Sequence, residues 1–284
     1  MKVVECADAK SLWGAAEAYL ARDPANHTHT LSSLVRLQRD GALHDERFLA
    51  VLDDAGACHG TLVRMDTQHC FLSTITAAAA TALAQHINAV EGTSRGFAVR
   101  GAVGAQHTVH AFASALARPA TPYVSLMLYQ HQGEINAGNA KGAARMAVAS
   151  DAEAVATMLD AFDTELAMVK TTTSNADRAA RRIRDGEIML WTRDGVVVAM
   201  AGANLLPVHS VRIGPVYTAP AYRGQGIAQA ITAATTAHTQ RDGPRTVFLF
   251  TDASNPASNK AYQRIGFVHV ADHAHLMFGA QAST

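Results

Sequence analysis

Charge is scarce in this chain: Asp, Glu, Lys and Arg together make up 17% of its 284 residues, and 24 basic side chains balance 24 acidic ones. A neutral chain offers nucleic acid or an anionic membrane no bulk attraction, so partners must be argued from sites. Aromatic residues contribute only 6%, and there are three cysteines. Cys6, Cys58 and Cys70 form no metal-ligand spacing and leave an odd count, which suits small buried hydrophobes in a reducing compartment better than a disulfide framework. No acidic or thiol ligand completes a site around the histidine pairs His27/His29 and His273/His275, so no metal is expected. No apolar run approaches the roughly 20 residues of a membrane span, and Met1-Lys2-Val3-Val4-Glu5-Cys6 lacks the basic-then-apolar pattern of a signal peptide. The expectation is a cytoplasmic protein without a membrane or nucleic-acid partner, its oligomeric state left open.

What is present is length and apolar patterning, enough for two domains. The first half reads as helices at Ser11 to Leu20 and around Leu31 to Leu37, then a hairpin from Phe48 through Asp53-Asp54-Ala55-Gly56 to Met65, and an alanine-rich helix over Ala77 to Val90. Polar, glycine-rich composition between Gln130 and Gly142 reads as a linker. The expected domains are therefore 1–130 and 143–284, joined by 131–142. The second half repeats the element order: a strand from Ala143, helices over Asp151 to Ala167 and Asn175 to Arg184, and a hairpin turning at Arg193-Asp194-Gly195. Element order alone suggests an internal duplication.

A candidate site lies further on. Val211 to Tyr217 is a strand interrupted by Gly214-Pro215, and proline removes a ladder donor, so the strand should leave its neighbour there. Arg223-Gly224-Gln225-Gly226-Ile227-Ala228 then opens a helix running to about Gln240. Glycines let the backbone approach a ligand, and the free N–H groups, helix dipole and Arg223 all favour an anion such as a pyrophosphate. A plain structural turn has the same pattern. Thr246 to Thr251 is a continuous apolar run suited to a buried strand parallel to the first. Beyond it, Asn255 as N-cap, Pro256 at the first position and Gly266 past the end delimit a short helix, with Asn255, Ser258, Asn259 and Tyr262 along one stripe.

Arg223-x-x-Gly226-x-Ala228, followed by Asn255-x-x-x-Asn259-x-x-Tyr262 and Gly266-Phe267, resembles the consecutive motifs of the GNAT acetyltransferase superfamily. The likeness covers about residue 143 to the C-terminus, and the full chain resembles a bacterial group with a degenerate N-terminal GNAT-like domain. It implies an α/β (α+β) fold of two tandem GNAT-like domains. Each would be a mixed, mostly antiparallel sheet flanked by helices, with a splayed parallel strand pair in the second. It implies transfer of an acetyl group from acetyl-CoA to a primary amine of a small molecule or peptide, by direct attack in a ternary complex. Val216, Tyr217 and Thr218 would line the pantetheine arm. Arg223, Gly224, Gln225, Gly226, Ile227 and Ala228 would hold the pyrophosphate. Asn255, Ser258 and Asn259 would form the other wall.

Tyr262 would protonate the leaving thiolate, with a backbone N–H near Val216 facing the carbonyl oxygen. Glu165 is the first candidate base and His209 the second. The alternative is a non-catalytic acyl-CoA sensor using the same site. A P-loop is disfavoured because no Lys-Ser/Thr follows the second glycine. In the first half, the segment after Cys70 to Ser73 runs into Ile75-Thr76-Ala77-Ala78 with no arginine and no glycine pair, and Gly101-Ala102-Val103-Gly104 reads as a bulge or turn. That half is expected to hold no pyrophosphate and to serve as an acceptor-pocket wall or a scaffold.

Overall fold

The computed structural model describes residues 1–279 except 42–44, 66, 92, 94–95 and 170. They form two compact units: one of residues 1–127, 206–208 and 271 onward, the other of 128–205 and 209–270.

In the first unit, β1 (Lys2–Cys6), β2 (Arg47–Leu52), β3 (Cys58–Arg64), β4 (His69–Leu72) and β5 (Gly101–Ala105) lie side by side in that order, and the last strand of the chain, β12 (Phe267–Phe278), follows β5. β12 enters this unit at Ala271, and His273 to Met277 pair antiparallel with Ala105 to Gly101. β4 and β5 are parallel; β1·β2, β2·β3 and β3·β4 are antiparallel. Alternation along β2 sends Phe48 and Ala50 to one face and Leu49 and Val51 to the other. The first face is covered by α1 (Ala9–Leu20) and α2 (Thr28–Asp40), through Leu12, Leu20, Leu31 and Leu34. The second is covered by α3 (Ala77–Val90) and α4 (Gln106–Leu116), through Leu83, Ile87 and Phe112.

The second unit follows the same plan. Its strands run in the order β6 (Ala120–His131, in this unit from Leu128), β11 (Thr246–Asp252), β10 (Ser210–Thr218), β9 (Val196–Leu206), β8 (Ile188–Arg193) and β7 (Ala143–Met146). Along β8, Ile188 and Leu190 face α5 (Ala152–Glu165) and α6 (Asn175–Arg184). Met189 and Trp191 face α7 (Ile227–Thr239). β10 and β11 are the parallel pair, as α7 crossing between them requires, while β7·β8 and β8·β9 are antiparallel. α8 (Pro256–Ile265) lies beside α7. The observed class is therefore the one the resemblance implies.

The stretch 131–142 is tied down. Gln229 Nε2 donates to Asn136 O at 3.1 Å, Trp191 Nε1 to Lys141 O at 3.0 Å, and Gln132 N to Gly266 O at 2.9 Å. Among the described residues no helix is long and apolar enough to cross a membrane, and no group of three His, Cys, Asp or Glu is placed to hold a metal ion. All three cysteines are free thiols, and burial pushes Cys70 up to about 12.

Candidate acyl-donor site

The site begins where β10 leaves β11. The two strands pair from Ser210↔Thr246 to Ile213↔Leu249 and no further. The next residue, Gly214, has φ +148, and Pro215 after it has no N–H for the ladder. β10 nevertheless runs on to Thr218, and β11 to Asp252, so a slot opens between their carboxyl ends. Edge groups exposed in this way can accept an extended polar chain as an added strand.

After Thr218 the chain makes a 3₁₀ turn at Pro220–Tyr222 and enters the glycine loop. Gly224 and Gly226 have φ +74 and +77, a left-handed conformation that a side chain disfavours. Around Gly224 a Cβ would meet nothing within 4 Å, and at Gly226 its nearest neighbour would be Ala140 Cβ at 3.9 Å. These glycines are therefore not there to permit packing; they leave space beside the backbone. α7 starts at Ile227 with Gly226 as N-cap and no side-chain cap. Its first-turn N–H groups consequently stay available to an anion. A cleft of about 250 Å3 adjoins the loop, lined by Asn139, Lys141, Arg193, Gln225 and Ile227. Residues of the 131–142 stretch thus bring a lysine beside the loop.

Two loop side chains are already engaged: Gln225 accepts from Arg193 Nη1, and Arg223 joins a wider network. Its Nε donates to Thr218 O at 2.9 Å, its Nη2 reaches both carboxylate oxygens of Glu165 at 2.7 and 2.8 Å, and its guanidinium lies 5.4 Å from the Tyr217 ring centroid. Tyr217 OH also donates to Glu165 Oε1 at 3.3 Å, and burial, with the Glu165 charge second, pushes its pKa up. Glu165, Tyr217, Thr218 and Arg223, drawn from three separate segments of the sequence, are thus one network joining the end of α5 to the end of β10. Both ion-pair partners are more than 40% exposed, so the pair fixes geometry more than it adds stability.

On α8, Asn255 caps the helix by accepting from Ser258 N at 3.1 Å. Asn259 Oδ1 is buried with no hydrogen-bond partner, and so is Thr218 Oγ1 on β10. Orphaned buried acceptors are uncommon in finished interiors. Together with the open glycine cradle, these two fit a pantetheine–pyrophosphate chain, which brings amide donors and an anion to such a slot. Tyr262 is buried and packs edge-on against Phe267 with ring centroids 6.3 Å apart. Burial alone pushes its phenol up to about 12. His209 is exposed at the start of β10, five residues before Gly214 and so roughly 17 Å from the bulge along the strand.

Arg182, Gly202 and Asn204 escaped the sequence reading, although all three converge on Gly214. The available signal was a glycine in the middle of β9, which marks a close approach.

Residues 154–267 match the family model described as Acetyltransferase (GNAT) family. Among curated proteins, none matches. Among solved structures, the chain is similar to an acetyltransferase of the GNAT family from Colwellia psychrerythraea, at 17% identity and TM-score 0.61, covering 98% of this chain and 99% of that one. It is also similar to a tandem GNAT protein from the clavulanic acid biosynthesis pathway, at 11% identity and TM-score 0.64, covering 100% and 99%. An N-acetyltransferase from Sphaerobacter thermophilus aligns at 16% identity and TM-score 0.61, covering 97% and 95%. Identities this low speak for the fold alone. Splayed strands and a glycine cradle at an uncapped helix thus lie within the segment, residues 154–267, that matches the GNAT acetyltransferase family model.

Proposed function

We propose that the second unit transfers an acetyl group from acetyl-CoA to a primary amine of a small molecule or peptide, by direct attack while both are bound. The observation that carries this reading is the slot between β10 and β11, with the uncapped, glycine-lined start of α7 at its mouth. Acetyl-CoA supplies the activated thioester; the chain's own residues bind it, orient it and move protons. N–H groups from Arg223 to Ala228 hold the pyrophosphate, with Lys141 and Arg193 adding positive charge beside them. Val216 and Thr218 offer backbone groups to the pantetheine arm, with Tyr217 between them on the strand, and Asn255, Ser258 and Asn259 face it from α8.

In the chemical step, the Val216 N–H faces the thioester carbonyl oxygen, where negative charge develops. Tyr262 gives its proton to the departing sulfur. Its raised pKa keeps it protonated across the working range, which is the state a donor needs. Glu165 accepts the proton that the amine loses. Because Arg223 now holds both of its oxygens, that step requires the acceptor to displace one of the two bonds.

The experiment is calorimetric titration with acetyl-CoA followed by a thiol-release assay against a panel of primary amines. Binding near one equivalent per chain with amine-dependent thiol release is expected. Absence of binding would sink the assignment, and binding without release against any amine would point to a sensor.

A further inference from the structure

The bulge in β10 is held from behind by a buried arginine. Arg182 lies in the last turn of α6 and is 6% exposed. Its Nη2 donates to the carbonyl oxygen of Gly214 at 3.1 Å. Asn204 Nδ2 donates to the same oxygen at 3.2 Å and to Arg212 O at 3.1 Å. To reach that oxygen the guanidinium crosses β9 over Gly202. A Cβ there would stand 2.7 Å from Gly214 O and 3.0 Å from Arg182 Cζ, so any larger residue displaces the arginine. Glu187 Oε2, 3.4 Å from Arg182 Nε, is the counter-charge. Burial pushes Arg182 down to about 10 while Glu187 works the other way, and the group stays charged at neutral pH.

A buried guanidinium is an expensive way to cover a sheet that leucine would cover as well. Its effect is on one peptide plane. The nitrogen following the Gly214 carbonyl is that of Pro215, which has no hydrogen, so this peptide can be held only through its oxygen. Two donors hold it, and the next N–H along the chain is that of Val216. We infer that Arg182, assisted by Asn204, is a positioning residue that sets the direction of the Val216 N–H in the acyl-donor slot. The inference rests on the functional reading above. Arg182 acts through Gly214 and touches neither substrate.

The test compares wild type with Arg182→Met/Glu187→Gln, which removes both charges and keeps the volume, and with Asn204→Ala. Acetyl-CoA affinity is measured by calorimetry and turnover with an amine the wild type accepts. In the double variant kcat is expected to fall roughly ten- to hundredfold, short of the loss on deleting an oxyanion donor outright. Acetyl-CoA Kd and amine KM should stay within about twofold, a split that general loosening of the unit does not produce. Arg182→Lys, with one charged donor, recovers part of the loss. Asn204→Ala, which keeps the arginine, loses several-fold in kcat alone and carries the test should the double variant not fold. Unchanged kcat in folded Asn204→Ala and the double variant, or a loss confined to Kd, overturns the inference and leaves the functional reading intact. A wild type that binds no acetyl-CoA overturns both.

Discussion

Helices α3 and α7 occupy the same place in their units, each following the first strand of the parallel pair, yet their N-termini are finished in opposite ways. At α3 the cap is Thr76, whose own side chain accepts from Ala79 N at 3.2 Å. At α7 the cap is Gly226, with no side chain to spend. The strands beneath them differ in the same sense. β4 and β5 stay close to the end: a Cβ on Gly104 would lie 2.9 Å from Leu72 O. β10 and β11 part after Ile213.

Where the first unit's slot would be, side chains fill it. Ser73 Oγ accepts from Thr61 N at 2.8 Å, and Thr74 accepts from Tyr19 OH through its carbonyl and meets His27 Nε2 at 2.8 Å through its hydroxyl. Ile75 sits where a Cβ on Gly60 would stand, and Thr108 Oγ1 accepts from Ile75 N. One architecture therefore makes either a closed scaffold or a binding slot, and the difference lies in which backbone groups are already satisfied.

The largest effect expected is at Gly226. Gly226→Val forces a β-branched residue into φ +77 and closes the cradle, so acetyl-CoA binding should drop below detection by calorimetry while the first unit is untouched. Retained binding would mean that the slot of the second unit is not the one that matters. Next is Tyr262→Phe, expected to lower kcat about a hundredfold with acetyl-CoA Kd unchanged. Glu165→Gln should lower kcat with acetyl-CoA Kd unchanged. Because Tyr262 titrates only near 12, the wild-type rate should show no falling limb from it between about pH 7 and 10. Its counterpart for contrast is Tyr19→Phe, which loses one hydrogen bond to Thr74 and leaves turnover alone.

The loop residues and the α8 stripe were legible because their chemistry is local: glycines at a helix start, a proline that ends pairing, an N-cap and a C-terminal glycine. The fold was legible through period-two alternation and repeated element order. Three things were not. The Arg223–Glu165 network spans 58 residues and depends on where α5 ends relative to β10. Arg182 is one of four arginines on α6, and nothing local says that Gly202 leaves it a passage. Residues from Ala271 belong to the first unit because β12 continues past Val270 to pair with β5, and hydrophobicity along a single strand does not reveal its neighbours.

A third difference between the units is the degree of acid sensitivity, since burial lowers His131 of the second unit as well. Burial pushes His273 and His275, both in the first unit, down to about 4. An unfolded histidine titrates near 6.5, so between about pH 4 and 6.5 the unfolded chain binds more protons than the folded one. Stability conferred by neutral burial is complete above that window and is lost as pH falls through it, on the order of 2 kcal/mol at pH 5 for His273 and less for the more exposed His275. Trp13 lies in the first unit and Trp191 in the second. Denaturation of Trp191→Phe, followed by Trp13 fluorescence, should therefore report an acid-labile first unit. The same Trp13 signal showing no loss between pH 7 and 5 would remove the distinction.

The smallest expected effect isolates the cap itself. Thr76→Ala deletes the oxygen that satisfies the first turn of α3, which costs about 1 kcal/mol where an N-cap threonine is removed. The bared N–H groups would then resemble those at Gly226, yet no second acetyl-CoA should bind. Ile75 still occupies the space over Gly60, and the β4·β5 pair still holds shut beside Gly104. The measurement is stoichiometry by calorimetry alongside the denaturation midpoint. One equivalent per chain with a slightly lowered midpoint means that the closed strands, more than the cap, keep the first unit from binding. A second equivalent would mean that a single side-chain oxygen had separated scaffold from site.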